Sequence, residues 1–283
     1  MMKSQLAFAG TLFFFLSAVQ ADEQLFGFVR GAETLPQGRT ELYQFATMRS
    51  GKSEGIYRGF DFESEIEHAL TDNLQVSLSI ENRYIYNHGV TGERDELADT
   101  DAYRWGGIST SAKYRLLSPF KDPIGLAVRV ESGYLWHDEV DGLVEHERYI
   151  KPEIDLQKDF FEDRLICNLD FGVGWAWGKQ PAEQYPKELA FEGAAGVAYR
   201  FAPNWFAGAE IHTRWEYPQF DLYNFEHRVY YAGPALHYSQ KNWWVTLTYN
   251  YQIYGKGVGE PNDGQTFAEE TRHLVRLKVG FNF

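Results

Sequence analysis

Residues 271–283 close the chain with T-R-H-L-V-R-L-K-V-G-F-N-F. The odd positions His273, Val275, Leu277, Val279, Phe281 and Phe283 are apolar apart from the first. The even positions Arg272, Arg276, Lys278, Gly280 and Asn282 are polar or small, with Leu274 the exception. Side chains alternate between faces along a strand, so this segment has one greasy face and one wet face. A strand that ends the chain on an exposed aromatic suits a water-soluble core poorly. It suits the closing strand of a membrane barrel, with apolar residues toward lipid and charged ones toward the lumen. That reading requires every earlier segment to repeat the alternation and the chain to begin with an export signal.

Residues 1–21 read MMKSQLAFAGTLFFFLSAVQA: Lys3 precedes an apolar run that ends in Val19-Gln20-Ala21, small residues where a signal peptidase reads. The run from Leu6 to Val19 falls short of the roughly 20 apolar residues of a spanning helix, and no basic cluster follows it. It is read as a cleaved signal, with the mature chain starting at Asp22. The remainder has no second long apolar stretch, which is what barrels give, because lumen residues dilute the lipid-facing ones. Aromatic residues make up 17% of the chain; they favour strands and gather at membrane interfaces. The single cysteine, Cys167, rules out an internal disulfide and a multi-cysteine metal site. The net charge of −13, about −14 once Lys3 leaves with the signal, argues against nucleic acid as a partner.

Residues 22–38 show no strand alternation; they hold Gly27, Gly31, Pro36 and Gly38 around Leu25-Phe26-Gly27-Phe28. The segment is expected to be a periplasmic tail or a plug folded into the barrel mouth. From residue 39 the rhythm is regular. Tight turns at Thr71-Asp72-Asn73, residues 118–123, residues 161–164, Ala202-Pro203-Asn204 and Gln240-Lys241-Asn242 alternate with longer polar connections. Those connections are residues 50–55, 87–101, 138–142, 178–187, 218–224 and 255–270. The alternation predicts an all-β fold: a transmembrane, up-and-down antiparallel β-barrel of about 12 strands spanning residues 39–283, with both termini periplasmic.

Faces are assigned strand by strand. Asp61, Glu63, Glu65 and Glu67 face inward against Ile56, Phe60, Phe62 and Ile66. Glu81 and Arg83 oppose Leu74, Val76, Leu78 and Ile80, and Arg129 and Glu131 oppose Val128 and Val130. Trp105, Ser109, Ser111, Lys113 and Arg115 share one inner parity. Glu145, Glu147, Lys151, Glu153, Asp155 and Gln157 line up inward, with Pro152 predicting a bulge or local break. Asp170, Glu192, His212 and Arg214 also fall on inner faces, as do Arg272, Arg276 and Lys278. The first and tenth strands have no clear parity. Aromatic girdles are expected beside the turns (Tyr199, Phe201, Trp205, Trp243, Phe283) and beside the loops (Tyr84, Tyr86, Tyr134, Trp136, Trp177, Trp215, Tyr217).

With these segments in view, the chain resembles an uncharacterised family of Gram-negative outer-membrane, porin-like barrel proteins of unknown function. The resemblance rests on residues 25–36 (LFGFVRGAETLP), 41–44 (ELYQ), 199–210 (YRFAPNWFAGAE), 241–244 (KNWW) and the closing Gly280-Phe281-Asn282-Phe283. It implies a fold and a compartment, the outer membrane of a Gram-negative bacterium, and no substrate.

No Gly-x-Ser-x-Gly elbow and no His-Glu-x-x-His zinc pair occurs. His137-Asp138 sits where a barrel protease keeps a dyad, without the paired aspartates that would complete one. The chain is therefore expected not to be an enzyme and to need no cofactor or bound metal. Acidic clusters at Glu93, Asp95, Glu96, Asp99 and Asp101, and at Asp263, Glu269 and Glu270, are read as solvated loops rather than calcium sites. The informative chemistry is the lumen. Acidic residues on some strands and Arg83, Lys113, Arg115, Arg276 and Lys278 on others describe a narrow, mixed-charge channel for a small hydrophilic solute. A closed barrel that is structural, or that binds lipopolysaccharide or a partner, is the alternative. Outer-membrane lipid and lipopolysaccharide are expected partners. So is the barrel-assembly machinery, which would recognise the strand ending at Phe283. Finally, if the first strand closes on the last, Glu63 and Glu65 face Arg276 and Lys278 across one strand, at roughly 10 Å between backbones.

Overall fold

The computed structural model describes residues 24–91, 97–178, 187–261, 263–267 and 269–283. The signal segment and the start at Asp22 lie outside the described residues, as do Glu93, Asp95 and Glu96. The described chain forms β1 (Thr40–Ser50), β2 (Ile56–Thr71), β3 (Leu74–His88), β4 (Thr100–Leu117), β5 (Gly125–His137) and β6 (Val144–Phe160). It continues with β7 (Leu165–Trp177), β8 (Lys187–Ala202), β9 (Trp205–Pro218), β10 (His227–Gln240), β11 (Trp243–Gly257) and β12 (His273–Asn282). Each strand pairs antiparallel with its sequence neighbours, and β1 closes on β12 from Glu41↔Asn282 to Ser50↔His273. The result is a closed up-and-down barrel, which leaves no free sheet edge.

Five connections of two to seven residues and the C-terminus define one end of the barrel, the turn end; six connections of five to fifteen residues define the other, the loop end. The turns follow their residue chemistry. Asn204 takes φ +67° in the turn between β8 and β9, a left-handed conformation that asparagine tolerates. Aromatics ring both ends on the lipid side. Phe201, Trp205, Tyr238 and Trp243 form a contiguous row at the turn end, with successive centroids 6.4, 4.6 and 5.5 Å apart. Near the loop end Trp136 stands 4.7 Å from Tyr134 and 6.0 Å from Trp105.

The predicted parity holds on most strands: Thr246, Thr248, Asn250 and Gln252 of β11 are buried inside while Leu247 and Ile253 are exposed outside. Trp105 is a correction. Glu81 pairs with Gly107 and Asn82 with Trp105, so Gly106 is an extra residue in β4. A bulge of one residue inverts the alternation. Ser109 and Lys113 therefore face inward as expected, and Trp105, 42% exposed, faces lipid. At Pro152 the ladder to β7 skips residues 151 and 152 and resumes at Glu153 in the same register. The register shift in β6 falls instead near its start, between the pairs Leu135↔Glu147 and His137↔Val144. There His146 adopts φ +59°.

The strands left without parity resolve clearly. On β1, Glu41, Tyr43, Phe45, Thr47 and Arg49 face the lumen and are buried. On β10, His227, Val229, Tyr231, Ala235 and His237 do the same. Both inner faces carry aromatic and aliphatic side chains, and that composition hides the alternation.

The reason lies in residues 24–35, which run inside the barrel at its turn end. Leu25 and Phe26, 1% and 0% exposed, pack with Val29 against Ile166, Ala198, Phe206 and Ala235 of β7–β10. The lumen wall there is apolar because a piece of the same chain covers it. Close approach requires glycine on both sides. A Cβ at Gly196 would stand 2.7 Å from the Phe26 ring, and one at Gly27 would stand 2.3 Å from the Thr248 hydroxyl.

Candidate functional site

Residues 24–35 form no ladder with the barrel, yet wall side chains meet their backbone groups in turn. The Glu210 carboxylate accepts the N–H groups of Gly27 and Phe28, each at 3.0 Å. Asp170 accepts from Arg30 N–H at 2.6 Å, Gln157 from Ala32 at 3.0 Å and Gln75 from Leu35 at 2.9 Å. On the carbonyl side, Thr246 donates to Gln24, Lys278 to Phe26 at 2.8 Å, Arg276 to Gly27 at 3.0 Å and Lys113 to Gly31 at 2.6 Å. Buried backbone groups need partners, and here the partners come from seven strands around the wall. The Phe28 ring is clasped between the Arg276 guanidinium, 3.9 Å from its centroid, and the His212 ring, 4.2 Å away. His212 in turn stacks on Tyr231 at 5.1 Å.

Above this segment, toward the loop end, lies a chamber of about 340 Å³. Its walls bring together Asp61, Glu63, Arg129, Lys151, Glu153, Arg214, Arg276 and Lys278 from the sequence-predicted lumen set. They also include Arg30, Arg49, Glu139, Asp170, Glu192 and Glu270. Among the described lining residues, seven are cationic and seven anionic. The chamber is thus balanced in formal charge although the chain as a whole carries −13. Signs interleave in bonded sets: Arg49 Nε lies 2.6 Å from Asp61, and Lys151 Nζ lies 2.9 Å from Glu192. Arg129 pairs with Glu131 at 2.6 Å and also with Glu153; Arg214 pairs with Glu188 at 3.1 Å and also with Glu216.

The other predicted lumen residues stand apart from the chamber. Glu65 and Glu67 are buried in the wall, where Tyr43 Oη donates to Glu67 at 2.7 Å. Arg83 pairs with Glu81 at 3.0 Å and donates to the carbonyl of His137. Lys113 lies 4.0 Å from Asp155 as well as holding Gly31. Tyr149 Oη donates to Glu131 at 2.8 Å. Glu147 is half-buried beside Gly178 near the loop end. Arg115 and Arg272 stand at the rims. Arg115 donates to Asp72 and Asn73 in the β2–β3 turn, and Arg272 packs 5.0 Å from the Phe267 ring and donates to Gln265.

The expected facing of Glu63 and Glu65 with Arg276 and Lys278 takes a different form. Phe45 of β1 pairs with Glu63 on one side and Lys278 on the other, so an aromatic ring stands between acid and base. Arg276 donates to the Thr47 hydroxyl at 2.8 Å.

Two loops enter from the loop end. In residues 138–143, Val140 is buried against Tyr57, Ile85 and Val90. Glu139 lines the chamber, and its backbone carbonyl accepts from Arg49. Burial works against ionisation of the Glu139 carboxyl, but Arg49, Arg83, Arg214 and Arg276 around it outweigh that and hold it below the usual carboxylate range. In the β11–β12 connection, Thr266 and Phe267 are buried, and Lys52 Nζ donates to the Phe267 carbonyl. Of the acidic loop residues, Asp263 accepts from Gln265 N–H at 3.1 Å in a local turn, Asp99 from Gly89 N–H at 2.8 Å across its loop and Asp101 from Tyr84 Oη at 2.8 Å. Glu270, expected to be solvated, instead lines the chamber and accepts from Tyr231 Oη at 3.0 Å. Among the described residues no group of three metal-ligating side chains comes together.

Arg30, Glu139 and Glu270 were outside the reach of strand alternation because they belong to no strand. For Arg30 a cue existed: apolar residues dense around glycine, in a stretch that lacks any strand rhythm.

Residues 18–283 match a family described as Family of unknown function (DUF6662). The chain belongs to that family. No curated protein sequence matches it. Among solved structures, the COG4313 outer membrane channel from Pseudomonas putida F1 superposes with a TM-score of 0.65 at 11% identity. That match covers 89% of this chain and 98% of the channel. The KdgM porin in complex with disordered oligogalacturonate matches at TM-score 0.49 and 11% identity, over 86% of this chain and 99% of the porin. LpxR from Salmonella typhimurium matches at 0.44 and 9%, over 85% of this chain and 99% of its own. The first likeness assigns the fold as an outer-membrane-type barrel; the other two are too loose to argue from.

Proposed function

We propose that the protein is an outer-membrane channel for small hydrophilic solutes, set with its turn end in the periplasm and its loop end outside. The observation that carries this reading is the balanced chamber inside a closed barrel. Opposite charges interleaved around a cavity of about 340 Å³ make a polar, low-net-charge interior. Such an interior suits neutral or zwitterionic solutes better than ions of either sign. The volume is at the small end of the roughly 300–1,000 Å³ typical of ligand clefts, so cargo would be small. The overall likeness to an outer-membrane channel supports the same class. The aromatic girdles and apolar outer face support lipid and lipopolysaccharide as its surroundings.

A closed structural barrel is the second reading, favoured by the buried segment that fills the turn end. Single-channel recording of the purified protein in a planar bilayer separates the two. The channel reading predicts discrete, small conductance steps with weak ion selectivity. Correctly folded protein that produces no step above leak refutes it.

A further inference from the structure

The turn-end half of the lumen has the anatomy of a binding site, and its occupant is part of this chain. It offers an apolar floor of Ile166, Ala198, Phe206 and Ala235 and charged groups that bond to main-chain amides. That combination of an apolar surface with a few convergent polar groups is how small-ligand sites are built. The occupant has no β-ladder to hold it. Its backbone is recognised by side chains, as a bound peptide would be, and its anchor is one aromatic ring between Arg276 and His212. Hydrogen bonds to ionised partners are the stronger kind, and Glu210, Lys278 and Arg276 supply them here.

The connection to the barrel lies at the rim, where the Gln37 N–H donates to Asp72 and the Gly38 N–H to the Ala69 carbonyl, each at 2.9 Å. Gln37, Gly38 and Arg39 are exposed, with Gly38 at φ +77°. A short tether holds its cargo at an effective concentration in the millimolar range, so even a modest intrinsic affinity keeps such a site filled.

We propose that the turn-end lumen is a peptide-binding site whose resident ligand is residues 24–35, a tethered plug that a free peptide of the same sequence replaces. The proposal rests on the channel reading for its consequence, occlusion, and on peptide binding for the site itself. The plug narrows the pore from the periplasmic side, and Phe28 is its latch.

The test uses full-length, folded protein carrying a protease recognition sequence inserted between Gln37 and Gly38. Cutting after folding frees the plug without asking a truncated chain to fold. After washing at high salt, a fluorescent peptide of residues 24–35 should bind the emptied barrel by anisotropy. The same peptide with Phe28→Ala should bind at least about tenfold more weakly, given the usual worth of a desolvated cation–π contact. In bilayers, cutting and washing should raise the conductance step at least about twofold, and peptide added to the turn-end side alone should restore the small step. A cut segment that stays bound through washing, or an emptied barrel that ignores the peptide, overturns the proposal. Steps that are present but unchanged by cutting overturn the plug and leave the channel standing. Absence of steps from either form overturns the channel reading, and the plug's role with it, whatever the anisotropy shows.

Discussion

Arg276, on the strand that closes the barrel, holds its guanidinium 3.9 Å from the ring centroid of Phe28, a residue that precedes the first strand. The same side chain donates to the Gly27 carbonyl and to the Thr47 hydroxyl. One arginine thus joins the N-terminal segment, the first strand and the last strand. Arg276→Met keeps the length and removes the charge and its bonds. A desolvated cation–π contact is worth about 2 kcal/mol, so the gel-shift unfolding midpoint should fall clearly. An unchanged midpoint would show that the contact carries no stability.

Glu210 should be the more costly site. Its carboxylate accepts from Gly27, Phe28 and the Asn250 amide inside the barrel. Glu210→Ala strands those donors in a buried place, at a cost of about 1–3 kcal/mol for each one left unmet. Hydrogen exchange at Gly27 and Phe28 should accelerate sharply, while exchange in β3 and β4 stays slow. Uniform acceleration across all strands would mean that Glu210 supports the barrel as a whole.

The β4 bulge makes a spectroscopic prediction. Trp105 faces lipid, 42% exposed, whereas Trp244 is 1% exposed on the inner side. Lipids brominated in the acyl chain should quench Trp105, so Trp105→Phe lowers the quenchable fraction of the fluorescence. Trp244→Phe should raise it. Deleting Gly106 would join Trp105, opposite Asn82, directly to Gly107, opposite Glu81, so Trp105 should stay on the lipid side and remain quenchable; loss of its quenching would refute the bulge.

The loop at residues 138–143 should respond to acid. Asp138 accepts from the Val140 and Asp141 N–H groups, and Asp141 from the Leu143 N–H at 2.7 Å. Burial, with the Asp138 carboxylate beside it, pushes the Asp141 carboxyl up to about 6 from its ordinary 3.8, against a smaller pull from Lys52. A raised folded pKa means that the folded loop prefers the protonated form. Its contribution is complete below about pH 4 and is lost as pH rises through about 6. Exchange protection at Val140, corrected for intrinsic rate, should be greater at pH 5 than at pH 7.5, and Asp141→Asn should flatten the difference. Equal protection at both values in the parent would refute the assignment.

Orientation is open to chemical labelling. With Cys167→Ser as background, a cysteine at Tyr223, 101% exposed in the β9–β10 loop, should react with an impermeant reagent on intact cells. Cysteines at Asn73, Asn204 and Asn242 should stay silent. The reverse pattern would turn the barrel over. Gly92 and Asn262, equally suited by sequence to report the outside, lie beyond the described residues.

The barrel was legible because lipid and lumen impose opposite chemistry on alternate residues, as in Val245 to Ile253 of β11, and because turns and loops alternate in length. Legibility failed wherever that contrast was absent. Tyr43, Phe45, Val229 and Tyr231 face inward and are apolar, since they pack against other protein rather than water. Trp105 misled because one inserted glycine resets parity without altering composition. The lumen residues named from alternation were mostly inside, but alternation carries no information on depth. It could not separate Arg214, in the chamber, from Arg115, at a rim. Residues off the strands, such as Glu139 and Arg30, have no period to betray them.

The path of residues 24–38 has a consequence for how the molecule is assembled. Phe26 and Lys278, bonded through a main-chain carbonyl, are separated by 252 residues of sequence, and the segment leads straight into β1, which meets β12 along the seam. Contacts so distant along the chain form late. Docking of the N-terminal segment therefore waits on the strand that closes the seam. A chain still lacking its last strand has neither Arg276 nor Lys278 to receive that segment, so residues that precede the first strand are among the last to find their place.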